Sequence, residues 1–272
     1  MEFAKFPAEV FAGMTFAAVF CLLLFIGLAV AWKLKNKGLK VLWPVAAGAL
    51  GFFVFAMILE QLLHIVMLPL VQNNVWLLSL YGALAAGLFE ETARFLIFKF
   101  VLKKHIADGD PRHAISYGIG HGGIEAVLVV SVSMLSMILI GILINSGNGA
   151  MLTLGMGEAE LELLKTQLDG VATQGFGMYL VSCFERICAV VFHISLSVVV
   201  YRAVTAKKYW LYPMAILLHA LLDVPAAMYQ TGVITNIFVL EALIALFVAV
   251  VTVFVVMMYK KMKKEHTSEI TQ

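Results

Sequence analysis

Residues 75–101 read VWLLSLYGALAAGLFEETARFLIFKFV, twenty-seven residues in which the first fourteen carry no charge and the next six are Phe89-Glu90-Glu91-Thr92-Ala93-Arg94. A helix on a soluble protein would show a polar stripe every three to four residues, whereas this one is apolar on all faces until the glutamate pair. About 20 such residues cross a bilayer, so the stretch reads as a spanning helix with charges set inside it. Six more apolar stretches, about 9–32, 42–70, 113–145, 176–203, 209–229 and 232–259, surround it along the chain. Of the 272 residues 62% are hydrophobic and 13% charged, with a mean hydropathy of +0.97, where soluble domains run near a quarter charged. The fold class that follows is all-α: one polytopic transmembrane domain over 1–272, of about seven helices, in the cell membrane.

The connections set the expected orientation. Lys33, Lys35, Lys37 and Lys40 follow the first stretch, Lys99, Lys103, Lys104 and Arg112 flank the third connection, Arg202, Lys207 and Lys208 the fifth, and Lys260 to Lys264 follow the last. Alternate connections are therefore basic, which predicts an outside N-terminus and a cytoplasmic C-terminus. The net charge of +2 leaves no basic face for nucleic acid, so membrane lipids are the expected surroundings. The first stretch, Phe11 to Trp32, is long for a signal-peptide core and its positives come after it, so it is expected to remain as a helix. Cys21, Cys183 and Cys188 lie in apolar stretches without CxxC spacing, which excludes a disulfide framework and a cysteine metal site. The long connection 146–175 is read first as an ordered loop without a role in chemistry. A short surface helix carrying Leu161, Leu163, Leu164 and Leu168 is the alternative.

Acids and bases inside spanning helices cost about 2.5–3.5 kcal/mol each on insertion scales and so call for a purpose. Glu90, Glu91, His121, Glu125, His193, His219 and Asp223 all fall roughly 8–14 residues from the inner end of their helix, about 12–21 Å deep at 1.5 Å per residue. Four helices thus contribute to one layer. Glu60, His64, Glu185, Arg186 and Glu241 fall nearer the outer surface, as a second polar group that is either packing or function. His121 with Glu125, His219 with Asp223 and Glu90 with Arg94 are each four apart and share a helix face. Glu90 and Glu91 point about 100° apart, so one can face a cavity while Arg94 or a neighbouring helix holds the other. A buried carboxylate that keeps a proton near neutral pH is a candidate general acid or base. Gly118, Gly120, Gly122 and Gly123 follow no strand, so they are read as close helix packing or as room for water, not as a nucleotide loop.

Phe89-Glu90-Glu91-Thr92-Ala93-Arg94, His121-Gly122-Gly123-Ile124-Glu125 and His219-Ala220-Leu221-Leu222-Asp223, in this order on membrane helices, resemble the motifs of the glutamic-type intramembrane protease superfamily. That group includes the type II CAAX prenyl proteases, the PrsW proteases and the scaffold subunit of gamma-secretase, and the YhfC-like branch is the nearest in pattern. The resemblance implies a protease-like core over about 75–229. Within it Glu90 and Glu91 would supply the base that activates a water, Arg94 would position one of them, and His219 and Asp223 would bind water or the oxyanion. Glu125 and His121 fall near further family positions, and His193 is kept from its depth alone. The arginine follows the glutamates one residue sooner than in prenyl proteases, so a prenyl-protein substrate is not implied.

The expected activity is hydrolysis of a peptide bond in a membrane-embedded protein or peptide. It needs no cofactor, although His121, His193 and His219 with Glu125 or Asp223 can make a zinc-type site despite the absence of HExxH. A proton- or ion-coupled transporter and a non-catalytic scaffold remain as alternatives. The topology is open to a direct check. Asn148→Cys should react with a membrane-impermeant thiol reagent in intact cells, and reaction only after the cytoplasm is opened would remove the common-depth argument.

Overall fold

The computed structural model describes residues 3–270, and every regular element among them is helical. Helix α1 is Ala8–Lys35, α2 Leu42–Val71, α3 residues 75–101, α4 Arg112–Asn145, α5 Glu158–Ala172, α6 Phe176–Thr205, α7 Leu211–Gln230 and α8 Ile237–Ile270. Six of these, α1, α2, α4, α6, α7 and α8, are long and apolar enough to cross a membrane. The seventh rod expected from the sequence is α3, whose apolarity is diluted by Glu90, Glu91, Arg94 and Lys99. Polar residues start two of the helices: the Asn74 Oδ1 accepts the Trp76 and Leu77 amides at 3.1 Å each, and the Asn236 Oδ1 accepts those of Phe238 and Val239. The helices α2, α3 and α4 widen into i→i+5 turns at 55–59, 97–101 and 127–132, a local geometry common beside functional residues.

The described residues form two compact units, each taken by itself here. One comprises the chain up to Leu24 with Ala126–Arg186. In it the Phe6 amide donates to the Asn145 Oδ1 at 2.9 Å and the Asn145 Nδ2 donates back to the Phe6 carbonyl at 2.8 Å, so both backbone groups are satisfied. The connection read first as a loop is a helix over most of its length. Its Gly157 amide is taken by the Glu160 carboxylate at 3.1 Å, and Leu168 and Ala172 are buried on one face. The Lys165 ammonium and, after it, the Ala4 amide hold the Asp169 carboxyl below its usual range and fasten this helix to the chain start.

The second unit, Phe25–Glu125 with Ile187 onward, has a core of Phe98, Tyr117, Phe192, Leu196 and Tyr201. One end of it is rich in lysine and tied by polar contacts. The Tyr201 hydroxyl donates to the Asp110 carbonyl at 2.9 Å, the Arg202 guanidinium meets Glu265 at 2.6 Å, and the Trp32 Nε1 donates to the Ser116 Oγ at 2.9 Å. Burial opposes charge on Asp110, but the Arg112 hydrogen bonds outweigh it and hold that carboxyl below its usual range.

Glycine lets α4 approach its neighbours closely. A Cβ on Gly120 would lie 1.9 Å from the Val45 carbonyl oxygen on α2, and one on Gly118 would lie 2.5 Å from the Ile194 Cα on α6. Tight packing is thus the structural use of these glycines. Gly120→Ala should cost about 1–3 kcal/mol through overpacking, read as a lower melting temperature of the purified protein. Gly82→Ala, where nothing lies within 4 Å, should leave it unchanged or slightly raised. Equal melting of the two variants would contradict the close approach.

Candidate functional site

Helix α3 carries the glutamate pair, and α4, α6 and α7 bring histidines to it, all within the second unit. At 3.6 residues per turn the adjacent glutamates leave the helix in different directions, and their partners differ accordingly. Glu91 and Arg94 form an ion pair with neither side chain exposed. The same Glu91 oxygen, Oε1, accepts from the His219 Nδ1 at 2.8 Å, while Oε2 is buried without a hydrogen bond. The sequence spacing pairs Arg94 with Glu90 four residues away. The structure instead pairs it with Glu91 three away, since both spacings lie on one helix face.

Glu90 faces imidazoles. Its Oε2 is 2.8 Å from the His121 Nε2, 3.7 Å from the His193 Nδ1 and 3.9 Å from the His219 Nε2. The rings of His121 and His193 are 5.0 Å apart and those of His193 and His219 are 5.3 Å apart. Partners on the far side of each ring assign its tautomer. His193 meets Glu125 through Nε2 and receives the Arg94 Nη2 on Nδ1 at 3.2 Å, so the Nδ1 that stands 3.7 Å from Glu90 is an acceptor already engaged by Arg94. His219 meets Glu91 through Nδ1, and its Nε2 lies 3.3 Å from Asp223 and 3.9 Å from Glu90. His121 spends its Nε2 proton on Glu90 and keeps a buried Nδ1 without a partner.

Ring nitrogens of His193 and His219 and a carboxylate oxygen of Glu90 therefore converge, with Arg94 at the His193 Nδ1 and His121 at the Glu90 Oε2. One ligand atom each from Glu90, His193 and His219 lies within 4.8 Å of the others, and all three residues are buried. Two histidines with one carboxylate is a zinc-type donor set. Outer carboxylates on the metal-binding imidazoles, here Glu125 on His193 and Glu91 on His219, are the usual support of such a site. The residues present fit a divalent metal. The histidines that the sequence offers as ligands are His121, His193 and His219, whereas the converging set has Glu90 in place of His121, which braces Glu90 from the side.

Of the outer polar group, Glu60 and His64 form a pair at 3.4 Å, and the His64 Nδ1 meets the Tyr81 hydroxyl at 2.7 Å. Glu185 and Arg186 meet each other at 2.5 Å within the first unit, and Glu241 is buried on α8. Sequence reasoning missed the aromatic walls. Phe52 stands edge-on to His121 at 5.3 Å, Phe192 edge-on to His219 at 6.0 Å, and Tyr117 lies 5.9 Å from His121. Tyr117 precedes His121 by four residues, so the shared helix face is a signal that could have found it.

The family described as YhfC intramembrane metalloprotease matches residues 20–245, a span that includes every residue of this site. The "Uncharacterized membrane protein YhfC" of Bacillus subtilis (strain 168) is 36% identical over 257 residues, covering 92% of this chain and 95% of the relative. No solved structure matches the chain. The chain is a multi-pass integral membrane protein, and it belongs to the YhfC intramembrane metalloprotease family.

Proposed function

We propose that this protein hydrolyses peptide bonds of membrane-embedded protein or peptide segments, using a divalent cation such as zinc held by Glu90, His193 and His219. The observation that carries the reading is the convergence of His193 and His219 ring nitrogens on the buried Glu90 carboxylate. When bound, the cation supplies Lewis-acid activation of water and polarisation of the scissile carbonyl. The other residues then divide the work. Glu91 and Glu125 orient His219 and His193, and Arg94 keeps Glu91 charged and in place. Asp223, whose side chain retains 32% of its surface, is the carboxylate a water can reach, and it takes the proton from water and returns it to the leaving amine. His121, held on Glu90 by one nitrogen, braces that carboxylate from the side.

A metal-free variant of the same hydrolysis makes Glu90 the base that activates water, with His219 and Asp223 in support. What favours it is that Glu91 is occupied by Arg94 and His219 while Glu90 meets only imidazoles. Metal content and turnover separate the two versions. In the metal version Glu90→Gln loses both bound metal and cleavage of a membrane-anchored peptide library, while Asp223→Asn keeps the metal and loses about 10²–10⁴-fold in turnover. Glu158→Gln, on the helix outside the second unit, should be nearly silent in both assays. Cleavage that persists after complete metal removal and fails only in Glu90→Gln would favour the glutamate base. Equal product from wild type and both site variants would end the protease reading.

The ion pair generates a separate expectation. Arg94→Met leaves Glu91 as a buried charge without its partner and should destabilise the fold by about 3–5 kcal/mol. Arg94→Met combined with Glu91→Gln should recover much of that stability, measured by thermal unfolding in detergent, without recovering cleavage. A double variant no more stable than Arg94→Met alone would show that charge balance is not what Arg94 supplies.

A further inference from the structure

At the lysine-rich end of the second unit a cavity of about 420 Å³ opens between the connection from α1 to α2 and the segment leading into α4. Gly38 and Lys40 line it from one side, and Lys104, His105, Asp108 and His113 from the other. His113 is 3% exposed, and its Nδ1 has no hydrogen-bond partner; the Nδ1 of His105 is buried and equally without one. A polar atom buried in this way costs free energy unless something outside the described residues satisfies it. Both rings line the cavity.

The charge balance decides the sign of that occupant. Lys40 and Lys104 are exposed and form no ion pair among the described residues. Asp108 is the one acid in the lining, and both its oxygens are engaged: Oδ1 accepts the Asp110 amide at 3.0 Å and Oδ2 faces the His113 Nε2 at 3.5 Å. Neighbouring Asp110 is taken up by Arg112 at 2.5–3.0 Å and approached by the His266 Nε2 at 3.9 Å. Two ammonium groups are thus left without a counter-charge beside two imidazoles with an open nitrogen. The place of the cavity adds to this. Lys40 precedes the first residue of α2 by two positions and Lys104 follows the last residue of α3 by three, so both stand where apolar spans meet the headgroup layer.

We infer that this cavity is a binding site for a phosphate ester, the phosphate held by Lys40 and Lys104 and ester hydroxyls satisfying His105 and His113. Basic pockets at the ends of membrane helices take anionic headgroups, and lysine binds phosphate as a point charge without demanding one geometry. The volume exceeds what a lone phosphate fills, which leaves room for a hydroxyl-bearing group such as glycerol. The source of the ester is either a phospholipid headgroup or a soluble phosphate. The site is separate from the Glu90 centre and does not depend on its chemistry.

The test uses the full-length protein purified in detergent, titrated with phosphatidylglycerol, with phosphatidylcholine, or with glycerol 3-phosphate and inorganic phosphate, and read by native mass spectrometry and by thermal shift. Lys40→Gln with Lys104→Gln changes only exposed residues and should fold. Each lysine near a membrane surface is worth about fivefold, so the pair should weaken binding roughly thirtyfold. Lys263→Gln with Lys264→Gln, at the end of α8, is the control for general surface charge and should have little effect. Lysine-dependent retention of phosphatidylglycerol over phosphatidylcholine supports the site with a lipid as its source; lysine-dependent saturation by glycerol 3-phosphate or phosphate supports it with a soluble one. Binding that is absent with every probe, unchanged in the Lys40/Lys104 variant, or lost equally in the Lys263/Lys264 control overturns the proposal.

Discussion

A guanidinium with no exposed surface has to be balanced where it stands, and Arg94 is such a group. Inside a bilayer there is no water to screen it, so its charge is tolerable only against a carboxylate at contact distance. Glu91 meets that need and is itself fully buried in doing so. The pair lies along one face of α3 and reaches two other helices: the shared Glu91 oxygen holds His219 of α7, and the second Arg94 nitrogen donates to His193 of α6. One charge balance therefore fixes the rotation of α3 and the ring orientation of two histidines.

The division between the glutamates follows from this. Because Glu91 is committed to Arg94 and His219, Glu90, about 100° around the helix, is the carboxylate left to face the imidazoles. The His193 and His219 rings each meet an outer carboxylate with one nitrogen and turn the other toward Glu90, whose direct hydrogen-bond partner is the His121 Nε2.

The long apolar helices were legible because lipid demands apolarity on every face, so α2 at Leu42–Val71 lies within a residue of the 42–70 read from composition. The same signal fails where helix and membrane part company. Helix α8 runs on to Ile270, past the expected end at 259, because lysine and glutamate are good helix formers once the chain is in water. The segment 158–172 was read first as a loop, since polar residues dominate its composition while its buried face holds few side chains. At the site, residue types and depth pointed to all eight side chains that the structure brings together, but not to how they pair. Which glutamate meets Arg94, and whether His121 or Glu90 joins His193 and His219, turns on angles of a fraction of a helical turn that spacing does not resolve. Phe52 and Phe192 were illegible for a plainer reason: in a chain this rich in apolar residues, an aromatic wall looks like any other lipid-side residue.

The exactness of the centre rests finally on residues that take no part in its chemistry. Ring centroids 5.0 Å apart require the backbones of α4 and α6 to run closer than ordinary side chains permit. Gly118 and Gly122 provide that approach, for a Cβ on the first would lie 2.5 Å from the Ile194 Cα and one on the second 3.0 Å from the His193 Cβ. On the opposite side of α4, Gly120 meets the Val45 carbonyl on α2, so the helix that carries His121 and Glu125 is held from two directions by backbone contact. Backbone yields less than side chains do, so such contacts are stiff. The Glu125 carboxylate behind His193 and the His121 ring beside Glu90 thus inherit their positions from glycine, and the charge balance at Arg94 needs that rigidity to keep its partners within reach.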